Sequence, residues 1–563
     1  MNKRQFNIFI LAILVLLFAG CAAPKMETKG EISAEKKYLS NLTIYPDQSG
    51  GKRYDDYSAI ILTGRIVTMD KDKSGEIKIL ENGRIVIESE KIEYVLAQGE
   101  KLPNSIDSSN AIFFDTHGIV FPGLINAHDH IHYNTVGLWK ATSKYSNRYQ
   151  WPDNRSLKIE IKNAKNVLSE SKYFKLEAEA VKYAEVKHLI SGTTAVQGSP
   201  SGAKRFCSIL IRNMDISPNF GEHKMSPYVR EVTEEKDEKF EKWIEKMDNG
   251  ELCALFLHIG EGTDEKVRSE FDFLKEKGLA RKEVIIIHGT ALKEDEIRYM
   301  AENDMTLVWS PVSNLLLYSE TADIPIFVKY GVNICLGTDW SPSGGKNLLN
   351  EMKIAYEYSK AKYDGLLSHQ DIVEMVTCNP ADAVCWTDFA GRIKPGIYAD
   401  LFVISDPGGD PFAALVNATE DDVSLVFVGG DPLYGDSLYM STLKPGDFEY
   451  IKTTCGFTKC IDVTKQNVEL GNQTLDYIIN TLGTALQFDA GYMEQKFTDK
   501  EIGKYGSFEE YLDARFPGCH ALTLDPLYPC MDTYYFETLR ESENASLPFD
   551  IQKIYYSSPS GND

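Results

Sequence analysis

The chain has 563 residues, which is too long for one compact hydrophobic core, so we expect two or three domains. Its hydrophobic fraction of 43% and its charged fraction of 25% are those of an ordinary globular protein. The net charge of −23 argues against nucleic acid and against an anionic membrane surface as binding partners.

The first 20 residues have the composition of a targeting segment. Two basic residues precede an apolar stretch, residues 8–18, that is too short for an ordinary transmembrane span. The stretch ends in Phe18-Ala19-Gly20-Cys21, which resembles a bacterial lipoprotein signal, although Phe18 stands where Leu is usual. The resemblance implies removal of residues 1–20 and a lipid anchor on Cys21, which would hold the protein on a membrane of the bacterial cell envelope. Secretion with an unmodified Cys21 is the alternative.

Residues 21–54 are rich in Lys, Glu, Ser and Gly, and we predict that they form a solvated tether. Beyond them, residues 58–114 alternate short apolar runs with turns, and Asn82-Gly83 is a strong hairpin signal. The same pattern returns far downstream, at 391–405 and 423–430. We therefore predict one small β-sandwich domain that is assembled from both flanks of an inserted domain, from residues 55–120 and 390–440.

The inserted section, residues 121–389, alternates apolar strands with amphipathic helices. This alternation predicts an α/β fold with a parallel sheet, either a closed (β/α)8 TIM-like barrel or a doubly wound sheet. Seven strands are evident, and an eighth is expected within 215–232. The seven predicted strands are 119–126, 193–197, 207–212, 254–258, 284–288, 306–309 and 334–338.

Residues 441–563 form a tyrosine-rich C-terminal extension whose sequence pattern does not identify a fold, and a docking or lid role for it is left open. Four cysteines in the extension can form two disulfides in an oxidising compartment. Local pairing, Cys455 with Cys460 and Cys519 with Cys530, is the simplest of three connectivities. Five other cysteines stand in apolar surroundings, and we predict that they are small buried hydrophobic residues: Cys207, Cys253, Cys335, Cys378 and Cys385.

Candidate metal ligands stand where the predicted strands end. His128 and His130 lie two residues apart at the end of the first strand, so their imidazoles point the same way. Two neutral imidazoles at this spacing can share one ion. His258, His288 and Asp339 each close a later strand. Because strand ends of a (β/α)8 barrel converge on one face, where active sites form, we expect these five side chains to surround one point.

Six ordered segments resemble the amidohydrolase superfamily, specifically its mononuclear-metal branch, which includes cytosine, guanine and adenosine-type deaminases. The resemblance covers residues 58–432 and implies a (β/α)8 barrel with a small β-sandwich domain built from both flanks. The six segments are PGLINAHDH (122–130), SGTTAVQG (191–198), HIGE (258–261), IIHGT (286–290), SPVSN (310–314) and LGTDW (336–340). Downstream of them, NPADAV (379–384) with KPGIYADLFVI (394–404) resembles the return of the family's chain into the small sheet domain.

The resemblance also implies a set of residue roles. One divalent metal, Zn²⁺ in the first place or else Fe²⁺, would be bound with an open position for water by His128, His130, His258 and Asp339. Glu261 would carry a proton to the leaving nitrogen. His288 would orient the water or polarise the electrophile, and Asp339 would also accept the proton of the water.

The implied activity is metal-dependent hydrolysis of a C–N bond other than a peptide bond, in a small-molecule substrate. A metal-activated water would attack an sp² carbon of an amide, a cyclic amide or an amidine. Two alternatives stay open: a dinuclear hydrolase of cyclic amides, dipeptides or esters on the same fold, and a non-catalytic surface-binding lipoprotein. Dinuclear members need a carboxylated lysine on a middle strand, and no lysine stands at an evident strand end there, which favours one metal. The oligomeric state is left open.

The loop after His130 does not match the segment with which deaminases of nucleosides or guanine hold their base. We therefore predict that His132, Tyr133 and Trp151 line a pocket of different specificity; packing within the loop is the alternative. Two further residues, Trp309 and Asn314, are predicted to contact the substrate.

Overall fold

The computed structural model describes residues 43–46, 51–141, 143–169, 174–200, 202–216, 220, 225–228, 230–452, 458–464, 473–488, 503–518, 521–527, 535–537 and 539. In this part of the chain, every helix is too short or too polar to span a membrane. The predicted signal segment and Cys21 lie outside the described residues. So do Cys455, Cys519 and Cys530, and both predicted disulfides of the extension therefore stay predictions.

The described residues contain one large β-sheet and two smaller ones. Their strands, in chain order, are β1 (Thr43–Pro46), β2 (Ala59–Lys71), β3 (Ile77–Glu88), β4 (Lys91–Leu96), β5 (Ala111–Pro122), β6 (Leu124–Asn126), β7 (Thr193–Val196), β8 (Arg212–Asn213), β9 (Met225–Tyr228), β10 (Ala254–Ile259), β11 (Val284–His288), β12 (Thr306–Trp309), β13 (Asn333–Leu336), β14 (Leu401–Ser405), β15 (Val423–Val428), β16 (Asp431–Asp436), β17 (Glu449–Lys452) and β18 (Thr458–Ile461).

The large sheet joins both flanks of the chain, in the order β1-β17-β18-β16-β15-β14-β5-β2-β3-β4. The flanks meet where β14 pairs antiparallel with β5, with Leu401 opposite Pro122. Its strands are rich in Ile and Val, whose branched side chains suit a pleated, half-buried surface. β1 lies in the segment predicted as a tether, and β17 and β18 lie in the predicted C-terminal extension, so both of those segments contribute strands to this sheet.

The hairpin predicted at Asn82-Gly83 is wrong, because both residues lie inside β3. Gly83 stands opposite Gly64, and the pairing of β2 with β3 shifts register beside this pair. Asn82 has a φ of 49°, in the left-handed region. The Asn-Gly dipeptide therefore accommodates an irregularity in the pairing of β2 with β3, and it does not form a hairpin turn. The chain turns after β2 instead, where the Asp72 carboxylate accepts a hydrogen bond from the backbone N–H of Ser74 at 2.7 Å.

Eight parallel strands, β6 to β13, form the predicted (β/α)8 barrel. β9 to β13 make a continuous five-stranded sheet, and β6 to β8 make a three-stranded one. β6 lies beside β13, since the backbone N–H of Ala127 donates to Leu336 O at 3.1 Å and Asp129 forms a parallel bridge with Asp339. β9 lies within 215–232, where the eighth strand is expected. The α/β barrel with an additional sheet is therefore confirmed.

The first predicted strand, 119–126, is in fact two strands that belong to different sheets. β5 ends at Pro122 in the large sheet, and β6 begins at Leu124 in the barrel. Only a glycine fits between them, because a Cβ on Gly123 would overlap the side chain of Thr194. The close approach of β7 therefore fixes the point at which the chain passes from sheet to barrel.

The strand predicted at 207–212 shrinks to Arg212–Asn213 in the structure. A buried carboxylate causes the difference: Glu185 accepts hydrogen bonds from the backbone N–H of Ser208 at 2.6 Å and of Leu210 at 2.7 Å. These amides are consequently not available to a neighbouring strand. Burial raises the pKa of the Glu185 carboxyl to about 7.

Helices surround the barrel, and Ser437–Leu443 and Leu475–Leu486 also contact strands of the large sheet. The α-helices among the described residues are Ala164–Ser169, Glu177–Leu189, Asp237–Asp248, Glu265–Glu276, Glu294–Glu302, Pro311–Tyr318, Ile324–Tyr330, Leu348–Lys362, His369–Glu374, Cys378–Ala383, Pro411–Val416, Ser437–Leu443, Leu475–Leu486 and Phe508–Arg515. Leu475–Leu486, from the extension, packs on Glu177–Leu189 of the barrel.

Cys253 and Cys385 form a disulfide, with their Cα atoms 6.4 Å apart. The prediction that these two are isolated buried thiols is wrong. Cys253 directly precedes β10, and Cys385 follows the helix Cys378–Ala383, so 132 residues of sequence separate the partners. The other three cysteines of this group are buried thiols, as predicted: Cys207, Cys335 and Cys378.

Candidate metal-binding active site

Five predicted donor residues meet at the carboxyl end of the barrel. His128 and His130 follow β6, His258 lies near the end of β10, His288 ends β11, and Asp339 follows β13. Two groups have ligand atoms within 4.8 Å of one another: His128 with His258 and His288, and His128 with His130 and Asp339. His128 belongs to both groups, so the donors form one cluster rather than two separate sites.

Asp339 is held against the two histidines of the β6 end. Its Oδ1 lies 3.4 Å from His128 Nε2 and 3.5 Å from His130 Nε2. Its Oδ2 accepts a hydrogen bond from the Ser313 hydroxyl at 2.6 Å. The backbone N–H of Asp339 donates to His128 O at 3.0 Å, and that of His130 donates to Asp339 O at 2.6 Å. The closure of the barrel between β6 and β13 thus brings these donors together.

The chemistry of His128 fits a metal ion. Its Nδ1 lies 2.9 Å from Gln197 Oε1, and Gln197 Nε2 donates to the Asp215 carboxylate at 3.2 Å. An amide oxygen only accepts, so Nδ1 carries the proton and Nε2 presents a lone pair. That Nε2 is buried and has no hydrogen-bond partner, a costly arrangement that a bound cation removes.

The other imidazoles have the protonation state that metal binding requires. Burial, reinforced by the neighbouring imidazoles, holds the pKa of His130 well below its ordinary value, and burial does the same for His258. Both rings are therefore neutral near pH 7. Three imidazole nitrogens and one carboxylate oxygen are a donor set that suits Zn²⁺. The residues that would hold such an ion are His128, His130, His258 and Asp339.

Glu261 stands at the edge of this donor cluster, and its two carboxylate oxygens have different partners. Its Oε1 accepts a hydrogen bond from the Tyr318 hydroxyl at 2.7 Å. Its Oε2 lies 3.5 Å from Arg148 Nε and 3.7 Å from His288 Nε2. Burial raises the pKa of this carboxyl above its ordinary value, which suits a group that takes up and releases a proton.

His288 is fixed by Asn314, which is not placed to contact a substrate. His288 Nδ1 lies 3.1 Å from Asn314 Oδ1, and the Asn314 amide N–H donates to the Thr290 hydroxyl. Burial lowers the pKa of His288 to about 4, so the ring is neutral and its Nε2 is an acceptor. His288 and Asp339 both have left-handed backbone, with φ of 72° and 65°, a strain that often marks functional positions.

The donors open into a cavity of about 580 Å³. Three of the predicted substrate-contacting residues line it: His132, Tyr133 and Trp151. Trp309 does not, because its side chain is wholly buried in the hydrophobic core and its indole N–H donates to the Thr321 hydroxyl at 2.6 Å. The predictions of Trp309 and Asn314 as substrate contacts are corrected accordingly, the first to a core residue and the second to a residue that orients His288.

Several residues of the site were beyond sequence reasoning. Gln197 and Ser313 lie inside two of the recognised segments, yet nothing in those segments tells which polar side chain reaches a donor. Arg148 and Tyr318 approach the site from a loop and from the end of a helix, outside the recognised segments. Their roles depend on contacts between distant segments, and a sequence carries no local signal for them.

An eight-stranded parallel barrel with this cluster of donors at its carboxyl end is the architecture of a metal-dependent hydrolase. Residues 257–433 match the family model described as the amidohydrolase family. Fold, donor set and match together are similar to those of the amidohydrolase family, and they indicate a hydrolase of C–N bonds other than peptide bonds.

Proteins of similar sequence include several deaminases. A 5-methylthioadenosine/S-adenosylhomocysteine deaminase of Pyrococcus furiosus is 26% identical over 364 residues, which cover 57% of this chain and 85% of the relative. A 5′-deoxyadenosine deaminase of Methanopyrus kandleri is 25% identical over 403 residues, which cover 63% of this chain and 90% of the relative. An adenosine deaminase structure from Xanthomonas campestris with bound zinc has a TM-score of 0.53 and 19% identity, and it covers 66% of this chain and 92% of its own. At that identity the structural likeness shows the fold.

Proposed function

We propose that the chain is a mononuclear zinc deaminase, which replaces the exocyclic amino group of a nitrogen heterocycle by oxygen and releases ammonia. The observation that carries the proposal is the position of Glu261, a buried carboxyl whose Oε2 lies between Arg148 and His288 at the edge of the donor cluster. The adenine-nucleoside relatives add support, and they favour a 6-aminopurine nucleoside as the substrate class.

The residues divide the proton transfers between them. When bound, the metal would supply an activated water at neutral pH. His288 has its proton on Nδ1, toward Asn314, so its Nε2 accepts a hydrogen bond and orients the water rather than polarising the electrophile. Glu261 takes a proton at Oε2 and delivers it to the substrate nitrogen, because Oε1 is occupied by the Tyr318 hydroxyl. Ser313 holds Asp339 Oδ2, which keeps Oδ1 turned toward the histidines.

The cavity favours a flat heterocycle of nucleoside size. A volume of about 580 Å³ lies within the range of small-molecule sites. Aromatic rings line one side: the Trp340 ring lies 5.0 Å from Tyr133 and 5.7 Å from Trp151, centroid to centroid. Such rings offer faces on which a heterocycle can stack. The loop after His130 differs from the segment with which nucleoside deaminases hold their base, so we expect this chain to contact the base through a different set of residues.

An ammonia-release screen of the zinc-loaded chain tests this function. We expect release from 5′-methylthioadenosine, S-adenosylhomocysteine or 5′-deoxyadenosine, together with the ultraviolet change of a 6-aminopurine that becomes a 6-oxopurine. Dipeptides and cyclic amides should be inert. Ring opening of a cyclic amide without ammonia release would reject the deaminase proposal in favour of the second hydrolase class.

The donor geometry favours one metal over two. Among the described residues, the two groups of His and Asp that could hold an ion share His128. A dinuclear site needs a bridging ligand and a second, independent set of donors around the second ion. We therefore propose a single Zn²⁺. Metal analysis that finds one equivalent of zinc per chain would reject the dinuclear alternative.

We further propose that the chain is exported and anchored to the cell envelope through Cys21. The basic and apolar N-terminal segment and its Cys21 motif support this location, and so does the disulfide Cys253–Cys385, because disulfides persist in oxidising compartments. Cys21→Ser should move the protein from the membrane fraction to the soluble fraction of cells that express the full chain. Unchanged membrane association of this variant would reject the lipid anchor.

A further inference from the structure

A buried ion pair joins the C-terminal extension to the barrel. The Lys187 ammonium, on helix Glu177–Leu189, contacts the Asp525 carboxylate, and their side chains are only 4% and 1% exposed. Asp525 is fixed in turn: its backbone N–H donates to Thr135 O at 3.1 Å, and its carbonyl accepts from the Tyr183 hydroxyl. Charges so far from water persist only where partners surround them, so this pair holds segment 521–527 in one place.

Lys187 also reaches both loops that carry the metal ligands. Its Nζ donates to the Ser341 hydroxyl at 2.7 Å and lies 3.3 Å from Asn134 O. Ser341 is two residues beyond Asp339, and Asn134 is four residues beyond His130. One ammonium group therefore links the loop after β6 to the loop after β13, and Asp525 is its counter-charge.

Further hydrogen bonds connect Asn134 to Asp129 and Thr338, which are direct sequence neighbours of the proposed metal ligands. Asn134 Oδ1 accepts from the backbone N–H of Ser341 at 3.0 Å, and Asn134 Nδ2 donates to both carboxylate oxygens of Asp129, at 3.0 and 3.2 Å. Asp129 Oδ2 accepts from the Thr338 hydroxyl at 2.8 Å. Asp129 separates His128 from His130, and Thr338 precedes Asp339. Every step from Asp525 to these neighbours of the ligands is a buried hydrogen bond or ion pair.

We infer that Asp525 is a positioning residue of the metal centre, and that segment 521–527 is a structural part of the active site rather than an appendage. Its carboxylate holds Lys187, and Lys187 fixes the spacing between the β6 and β13 loops on which the metal geometry depends. The inference rests on the metal-binding role of the donors in the proposed function and is independent of the substrate.

Zinc retention by the purified full chain tests the inference without any substrate. Partners behind metal ligands typically contribute about 10- to 100-fold in metal affinity. We expect Asp525→Asn to weaken zinc binding by that factor, measured by competition with a chromogenic chelator, with a native circular dichroism spectrum. The matched control is Asp462→Asn, which breaks the buried pair with Lys444 beside the large sheet. This control should lower the unfolding temperature and leave zinc affinity unchanged.

A second pair of measurements keeps the inference falsifiable if Asp525→Asn does not fold. The double variant Lys187→Met/Asp525→Leu removes both buried charges together and should fold, yet it should bind zinc as weakly as predicted for the single variant. In the wild-type chain, coupling is reciprocal, so zinc loading should slow hydrogen exchange at the Asp525 amide.

Two results would contradict the role of Asp525 and leave the proposed function standing. One is wild-type zinc affinity in a folded variant, and the other is a hydrogen-exchange rate at the Asp525 amide that does not change when zinc binds. A wild-type chain that binds no zinc overturns the metal assignment of the proposed function, and this inference with it. The two failures are therefore distinguishable.

Discussion

The two ends of the barrel differ in the residues that they bury: polar metal-ligand candidates at the carboxyl end, and apolar residues with a disulfide at the amino end. The segment from Cys253 to His258, at β10, contains an example of each. Near its carboxyl end, His258 faces other imidazoles across a buried polar cluster. Directly before its amino end, Cys253 is joined to Cys385 beside apolar residues such as Val384 and Trp386. Burial at the first end lowers the pKa of His130 and of His258 and so keeps these two imidazoles neutral, while burial at the second end holds the strands and helices together. Substitutions at the two ends should accordingly separate activity from stability.

Asp339→Asn should have the largest effect on activity. The change replaces the single carboxylate ligand by a weaker neutral one, so we expect loss of detectable turnover and of most bound zinc. Because Asp339 lies at the catalytic end of the barrel, the unfolding temperature of the metal-free protein should change little. Metal analysis, an activity assay and calorimetry of the same preparation provide the test, and full activity with normal zinc content would contradict the assignment of Asp339.

Glu261→Gln should abolish proton transfer and spare the metal. The amide keeps the hydrogen bond from Tyr318 but cannot take up and release a proton near neutral pH, so we expect turnover to fall by about 10²-fold or more with unchanged zinc content. If the variant keeps wild-type turnover, a different group carries the proton.

Asn314→Ala should have an intermediate effect, because it releases His288 without touching the metal ligands. Loss of the hydrogen bond to Nδ1 frees the imidazole to rotate and to change tautomer, and we expect kcat to fall by about 10- to 100-fold with a smaller change in KM. Asn333→Ala is a matched control at the other end of the barrel, where the Asn333 amide bonds Thr306 and Asn379 O. Equal losses of activity in the two variants would show that the effect is general rather than local.

Removal of the disulfide should have the smallest effect on activity and a clear one on stability. Cys385→Ser opens a covalent loop of 132 residues, and we expect the free energy of unfolding to fall by about 2–4 kcal/mol. Turnover per folded molecule should stay near that of the wild type. Cys378→Ala, which changes a neighbouring buried thiol, is the control. A disulfide variant that unfolds at the wild-type temperature but loses activity would contradict the claim that the amino end of the barrel serves stability rather than activity.

The sequence predicts the barrel best where each strand is one uninterrupted apolar run. The predicted strands 284–288 and 306–309 coincide with β11 and β12. The sequence-based prediction of a strand fails at 207–212, because the carboxylate of Glu185 accepts hydrogen bonds from the backbone amides there. Glu185 lies on a helix distant in sequence, so the local pattern gives no sign of this interaction. Sequence-based prediction also fails at Asn82-Gly83, since a local turn signal cannot distinguish a hairpin from a bulge.

The donor cluster could be predicted because its members share one property, a position at a strand end, that the barrel converts into proximity. The residues that orient the donors have no such property. Asn314 stands beside a recognised serine and is equally compatible with substrate contact, and only the distance to His288 decides its role. The disulfide is the extreme case: Cys253 and Cys385 look like ordinary buried cysteines until the fold brings their Cα atoms within 6.4 Å.

Metal content per chain tests the central claim most directly. Inductively coupled plasma mass spectrometry of the purified full chain, after exchange into metal-free buffer, should find one equivalent of zinc in the wild type and well below one in Asp339→Asn. Two equivalents in the wild type, or zinc content that Asp339→Asn leaves unchanged, would contradict a single ion held by His128, His130, His258 and Asp339.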